Sequence, residues 1–141
     1  MASGIAGVLE VLGDRWALLV VREVSLGRRR FDEIHDASGA PRTVLADRLR
    51  RLVAAGVLGT REYQRPGSRA HREYTLTDAG FDLIPVLAAL SDWGERHLAS
   101  EEPPAVVYRH VGCGGRISAT LRCECGEHPD VRGRLVAQVN R

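Results

Sequence analysis

The chain has 141 residues, 44% of them apolar and 27% charged, which suits one compact domain with a small appendage and excludes a disordered chain or two substantial domains. No apolar run approaches the roughly 18 to 20 residues needed to span a bilayer, and Met1 to Gly4 carries no basic segment followed by an apolar stretch, so a cytoplasmic protein without membrane association is expected. The net charge of +2 conceals an uneven distribution: from Arg42 to Arg72 eight arginines face two acids, a local balance of +6, while the rest of the chain carries twelve arginines and sixteen acids, or −4.

A basic block on an otherwise acidic chain is what phosphate contact calls for, because each neutralised phosphate releases counterions. A solvated arginine-rich surface gives the same count, so arrangement along the chain has to decide between them. Ile5 to Leu12 reads as a short helix with Ile5, Val8, Leu9 and Leu12 on one face, stopped by Gly13. Asp14 is a cap for the next segment, Arg15 to Val24, where Trp16, Leu18, Leu19, Val20, Val21 and Val24 leave little polar surface. A helix apolar nearly all round belongs at the centre of a core, with Trp16 as a packing residue.

Gly27 ends that helix, Arg28 to Arg30 reads as a surface turn, and Phe31 to Asp36 gives a short helix with Phe31 and Ile34 on a shared face. Ser38-Gly39-Ala40-Pro41 is turn material, with Pro41 placed to open the first turn of the following helix, about Arg42 to Ala55, which Gly56 ends. At 100° per residue Leu45, Leu49 and Leu52 form one stripe, Thr43, Asp47 and Arg50 lie opposite, and Ala46 and Arg51 flank them. Arg48 falls beside the leucine stripe, which suits a packed, ion-paired role. Two helices joined by a tight turn, the second amphipathic and arginine-bearing, match a helix-turn-helix.

Val57 to Gln64 and Arg72 to Leu76 are rich in β-favouring residues and flank Arg65-Pro66-Gly67-Ser68-Arg69, so a hairpin with a basic tip, a wing, is expected directly after the recognition-type helix. Thr77 or Asp78 caps a long helix to about Leu98, bent at Pro85, with Phe81, Ile84, Leu87, Leu90 and Trp93 as its apolar series. This apolar face exceeds what the small domain can cover, so its destination is a second subunit. The fold class expected is mainly α with a small β wing, divided into residues 1–100, a linker at 101–104 containing Pro103-Pro104, and an appendage at 105–141.

The appendage holds all three cysteines. His110-x2-Cys113 and Cys123-x-Cys125 approximate a zinc-ribbon ligand set, with His110, Cys113, Cys123 and Cys125 as Zn2+ ligands; the spacing of the second pair is tighter than the usual CxxC knuckle, and a metal-free small β unit is the alternative. A thiol- or metal-dependent enzyme built on these residues finds no phosphate loop, carboxylate pair or Ser/His/Asp order to support it. A winged helix serving as a protein-interaction module without DNA binding is the other rival.

The runs Leu12-Gly13-Asp14-Arg15-Trp16-Ala17-Leu18-Leu19, Gly27-Arg28-Arg29-Arg30-Phe31-Asp32-Glu33-Ile34, Val44-Leu45-Ala46-Asp47-Arg48-Leu49-Arg50-Arg51-Leu52, Tyr74-Thr75-Leu76-Thr77-Asp78-Ala79-Gly80 and Ser91-Asp92-Trp93-Gly94-Glu95-Arg96 resemble those of the HxlR-type, MarR-related winged helix-turn-helix regulators over about residues 5 to 98. The resemblance implies a cytoplasmic bacterial regulator, not an enzyme, that binds double-stranded DNA as a homodimer at a pseudo-palindromic operator and is switched by a small-molecule effector or by a redox or metal signal. It puts Arg42, Thr43, Asp47, Arg50 and Arg51 at the major groove, Arg65, Ser68, Arg69 and His71 on the wing, and Ile5, Val8, Leu9, Leu87, Leu90 and Trp93 at the dimer interface. Many members carry a redox-sensing cysteine just before the first helix; here Met1-Ala2-Ser3-Gly4 stands there, and no cysteine precedes Cys113.

Overall fold

The computed structural model describes residues 4–67 and 69–140. Among them the elements run α1 (Gly4–Leu12), α2 (Ala17–Ser25), α3 (Phe31–Ser38), α4 (Arg42–Ala54), β1 (Leu58–Tyr63), β2 (His71–Leu76), α5 (Asp78–Phe81) and α6 (Ile84–His97). The chain is mainly α with a small β hairpin. No helix among the described residues is long and apolar enough to cross a membrane. The chain groups into two compact units that divide between Leu87 and Ala88, inside α6.

In the first unit α2 is the central helix. Ala17, Val20, Val21 and Val24 are buried, and they join Ile34 of α3 and Leu45, Leu49 and Leu52 of α4 in one core. Each leucine so buried contributes roughly 2 kcal/mol of transfer free energy. Trp16 is half-buried against this core, with the Arg15 guanidinium 4.7 Å from its ring centroid.

Asp14 starts α2. Its Oδ1 accepts the N–H groups of Trp16 at 2.7 Å and Ala17 at 2.8 Å. Burial opposes its charge, but those two N–H groups and the Arg48 guanidinium outweigh it and hold the carboxyl below the usual carboxylate range. A carboxylate with a depressed native pKa adds stability above its unfolded pKa, and the contribution is lost as pH falls through the native value. Asp14→Ala is therefore expected to cost about 1 kcal/mol at neutral pH, as for other lost caps. In urea unfolding the difference from wild type should shrink as pH falls into the acid range.

Gly39 closes α3 in the left-handed region, φ 74°, its N–H reaching the His35 carbonyl at 3.0 Å. Pro41 stands one position earlier than expected: it is the cap of α4, and its carbonyl accepts the Leu45 N–H at 2.8 Å. Its restricted φ suits the extended conformation found there as well as it would suit the first turn.

The hairpin pairs Leu58 with Leu76 through Tyr63 with His71, antiparallel. Arg28 to Arg30 is more than the surface turn expected: Arg30 forms a β-bridge with Glu73, and the Tyr74 N–H donates to the Arg29 carbonyl at 2.7 Å. An edge strand presents unpaired backbone groups, and this short segment satisfies some of them.

The single bent helix expected from Thr77 to Leu98 is two helices. Thr77 accepts the Gly80 N–H at 3.2 Å to cap α5, and its own N–H donates to the Val57 carbonyl at 3.2 Å. A Cβ on Gly80 would stand 2.4 Å from that same carbonyl, so glycine permits the approach. The helix then breaks at Asp82–Leu83, because Pro85 has no N–H to donate and its ring crowds the carbonyl a turn earlier.

In the second unit, beyond α6, the tail makes two tight turns. His110 and Gly115 are joined N–H to carbonyl at 2.8 Å under the Arg109–Arg116 bridge, and Cys123 and Glu127 likewise at 2.8 Å. The small β unit expected there amounts to that one bridge among the described residues, since closely spaced glycines at 112, 114 and 115 favour turns over a ladder. Arg116 ties the first turn to the helix, its Nη2 reaching Asp92 at 3.3 Å and its Nη1 reaching Glu95 at 3.2 Å.

Candidate nucleic-acid interface

The face of α4 opposite the buried leucines carries the residues expected at the major groove. Thr43, Ala46, Arg50 and Arg51 are exposed, while Asp47 and Arg48 are half-buried. Arg42 is engaged by α3: it donates to Asp32 at 3.0 Å, and its guanidinium stands 5.8 Å from the Phe31 ring centroid.

Asp47 is surrounded by cations. Its carboxylate receives Arg48 and Arg50 at close range and Arg51 Nε at 3.1 Å. Arg48 also pairs with Asp14 and keeps 20% of its side chain exposed, against 74% for Arg50. This agrees with the packed, ion-paired role read from its position beside the leucine stripe.

On the wing, Tyr63 stands at the turn end of the hairpin, paired with His71. Arg65 Nε donates to its hydroxyl at 2.6 Å, and the Arg30 guanidinium lies 4.8 Å from its ring centroid. The hydrogen bond from Arg65, reinforced by the charges of Arg65 and Arg30, pushes the hydroxyl's pKa down. Arg69 and His71 are exposed, and Ser68 lies outside the described residues. Glu73 is 8% exposed and is held by Arg61 at 3.0 Å and Arg30 at 4.0 Å.

Tyr63, whose ring lies against Arg30 and Arg65, is not among the residues expected at the interface, and Arg30 belongs to the surface turn Arg28 to Arg30. Arg28-Arg29-Arg30 was a visible cationic signal, but nothing in its local pattern says that its backbone pairs with β2. Cations that can approach a polyanion stand on three chain segments: Arg50 and Arg51 on α4, Arg65 and Arg69 between the strands, and Arg30, which shares the Tyr63 ring with Arg65.

Of the dimer-interface residues expected, Ile5, Val8, Leu9, Leu90 and Trp93 are exposed, and Leu87 packs partly against the core of the first unit.

The four expected zinc ligands fall into two separate pairs. Cys113 Sγ is 3.4 Å from His110 Nδ1 and accepts the Gly115 N–H at 3.4 Å, whereas Cys123 and Cys125 share the second turn. The Cys125 N–H, followed by its thiol, lowers the Cys123 thiol pKa. All three thiols are free and exposed. No group of three or more His, Cys, Asp or Glu side chains that could hold a metal ion is found among the described residues. Cys123, Cys125, His128, Arg122 and Arg134 line an open pocket of about 830 Å³.

The profile of the HxlR-like helix-turn-helix family matches residues 11–102. An uncharacterized HTH-type transcriptional regulator of Mycobacterium tuberculosis is 38% identical over 131 residues, which is 92% of this chain and 82% of that protein. The crystal structure of PA1607, a candidate transcription factor, superposes with a TM-score of 0.81 at 31% identity, covering 98% of this chain and 96% of that one. The redox regulator HypR in its reduced form is similar at 28% identity and a TM-score of 0.57, covering 67% of this chain and 92% of that one.

Proposed function

The chain belongs to the HxlR-like helix-turn-helix family, whose similar proteins are transcriptional regulators rather than enzymes, and from that premise we propose that it binds duplex DNA as a cytoplasmic homodimer at a pseudo-palindromic operator. The observation that carries this reading is the two-faced α4, with Leu45, Leu49 and Leu52 fully buried and Thr43, Arg50 and Arg51 turned outward. A helix held by its inner face offers its outer face to the major groove, where guanidinium groups pair with guanine edges and a threonine meets a thymine methyl or a phosphate. The wing supplies Arg65 and Arg69 to the phosphates or the minor groove.

Dimerisation rests on apolar surface that a monomer leaves in water. Ile5 is 79% exposed and Leu9 59% in α1, and Leu90 is 52% and Trp93 54% in α6. A dimer that buries these residues sets two recognition helices at the spacing of two half-sites. The switch is a small ligand or a redox or metal signal, and in this chain the thiol chemistry sits in the tail.

Salt-dependent gel shifts on the promoter regions of its own and neighbouring genes test the reading. Arg69→Ala is expected to weaken binding to every duplex and to lower the slope of log affinity against log salt by about one. Equal affinities and slopes for wild type and variant at moderate salt would remove the wing from the interface.

A further inference from the structure

The carboxylate of Asp47 stands on the proposed groove face of α4, where an unpaired negative charge would repel phosphate. Its neighbours account for it. Asp47 is 26% exposed and accepts Arg50 one turn on, Arg51 Nε at 3.1 Å, and Arg48. Arg48 in turn reaches across to Asp14, the residue whose other oxygen caps α2 at 2.7 and 2.8 Å. Three arginines and two carboxylates thus form one chain from the cap of the core helix to the outer face of α4, with one net positive charge left over. Arg48, 20% exposed, is the link, and Arg50, 74% exposed, is the free end.

We propose that Asp47 and Arg48 are positioning residues: Asp47 does not read a base but holds Arg50 and Arg51 in a fixed presentation, and Arg48 anchors Asp47 to the Asp14 cap of α2. This deepens the DNA-binding reading and rests on it. A long arginine side chain carries about 2 kcal/mol of rotamer entropy, so pinning it to a carboxylate favours one bidentate geometry at a base edge over loose phosphate contact. The ionic chain therefore trades affinity for any duplex against discrimination between duplexes.

The test compares two probes at matched salt: the duplex most enriched by the wild-type protein from a random-sequence pool, and unselected random duplex of the same length. Asp47→Asn should tighten binding to random duplex, steepen its salt slope by about one, and lower the ratio of selected to random affinity by roughly tenfold, within the range of couplings in charge networks. Arg48→Gln removes no charge from the groove face, yet should lower the ratio by a similar factor, and the two changes together should do little more than either alone. Asp14→Asn keeps a cap acceptor for α2 while breaking the ionic link, so it should lower the ratio in a protein that stays folded and loses only the charge-dependent part of the Asp14 stabilisation in urea unfolding. A groove residue acting alone predicts otherwise. Wild-type ratios in folded Arg48→Gln and Asp14→Asn would overturn this proposal and leave the DNA reading standing. Loss of wild-type binding to both probes at low salt would overturn the two together.

Discussion

Leu49→Ala should lower the unfolding free energy by about 2–5 kcal/mol, the range for leucine-to-alanine changes in packed cores. Leu49 has no exposed surface and sits between Leu45 and Leu52 on the inner face of α4, against Val20 and Val21 of α2 and Ile34 of α3 in one core. The substitution removes three carbons and leaves a cavity that the surrounding core residues cannot close without moving their own packing. A domain of this size has only about 5–15 kcal/mol in total, so a single methyl-lined void takes a large share. Urea unfolding followed by circular dichroism measures the loss. A value near the ±0.5 kcal/mol typical of surface changes would mean that the leucine stripe is not the anchor of α4. The comparison variant is Thr43→Ala on the exposed face, expected to stay within that surface range while altering DNA affinity.

The second large effect concerns discrimination rather than folding. Arg50→Ala removes the most exposed guanidinium of the Asp47 cluster, 74% open to solvent. A bidentate arginine–guanine pair contributes about 1–3 kcal/mol of preference over the wrong base. Loss of the pair should reduce selectivity at one position of each half-site by roughly 5- to 150-fold, with a smaller loss on random duplex. Competition binding with duplexes substituted one base pair at a time reads this directly. A uniform loss over all duplexes, with selectivity intact at every position, would reassign Arg50 to phosphate contact. Because Arg50 leans on Asp47, its effect should not add to that of Asp47→Asn, whereas Arg69 on the wing should be additive with either.

The tail changes what regulation can mean for this chain. The similarity to HypR covers 67% of this chain, whereas that to PA1607 covers 98%. Cys113, Cys123 and Cys125 are exposed, and they are the only cysteines of the sequence. Any thiol signal received here therefore enters through the tail. Within its own unit the turn that bears Cys113 is tied through Arg116 to Asp92 and Glu95 of α6, the helix that carries Leu90 and Trp93.

Much of the DNA-facing half was legible from spacing alone. Leu45, Leu49 and Leu52 recur at helical intervals, and that pattern is sufficient to put them inward and Thr43 and Arg50 outward, because 100° per residue admits one buried face. Asp14 before an apolar run reads as a cap for the same local reason: its side chain reaches only the N–H groups that follow it. The charge block from Arg42 to Arg72 and the Pro66-Gly67 turn likewise needed no tertiary knowledge, since turn chemistry and net charge are properties of short segments.

The features that had to wait for the fold are those that join distant segments or set two local preferences against each other. Nothing near Arg29 and Arg30 announces that their backbone completes the edge of β2 at Glu73 and Tyr74. Nothing near Arg48 announces Asp14 as a partner, although its angle beside the leucine stripe did imply that it was packed. Pro85 made a disturbance certain, but whether the segment bends or breaks depended on the docking of α5, where Thr77 and Gly80 close on the Val57 carbonyl. In the tail, four ligand-type side chains suggested one site, and the turns keep them as two pairs. Which surfaces of this protein are apolar, basic or capped follows from periodicity and side-chain reach along short stretches of chain. Which charges meet follows from the fold, because an ion pair between remote residues exists only where packing brings their elements within a few ångströms.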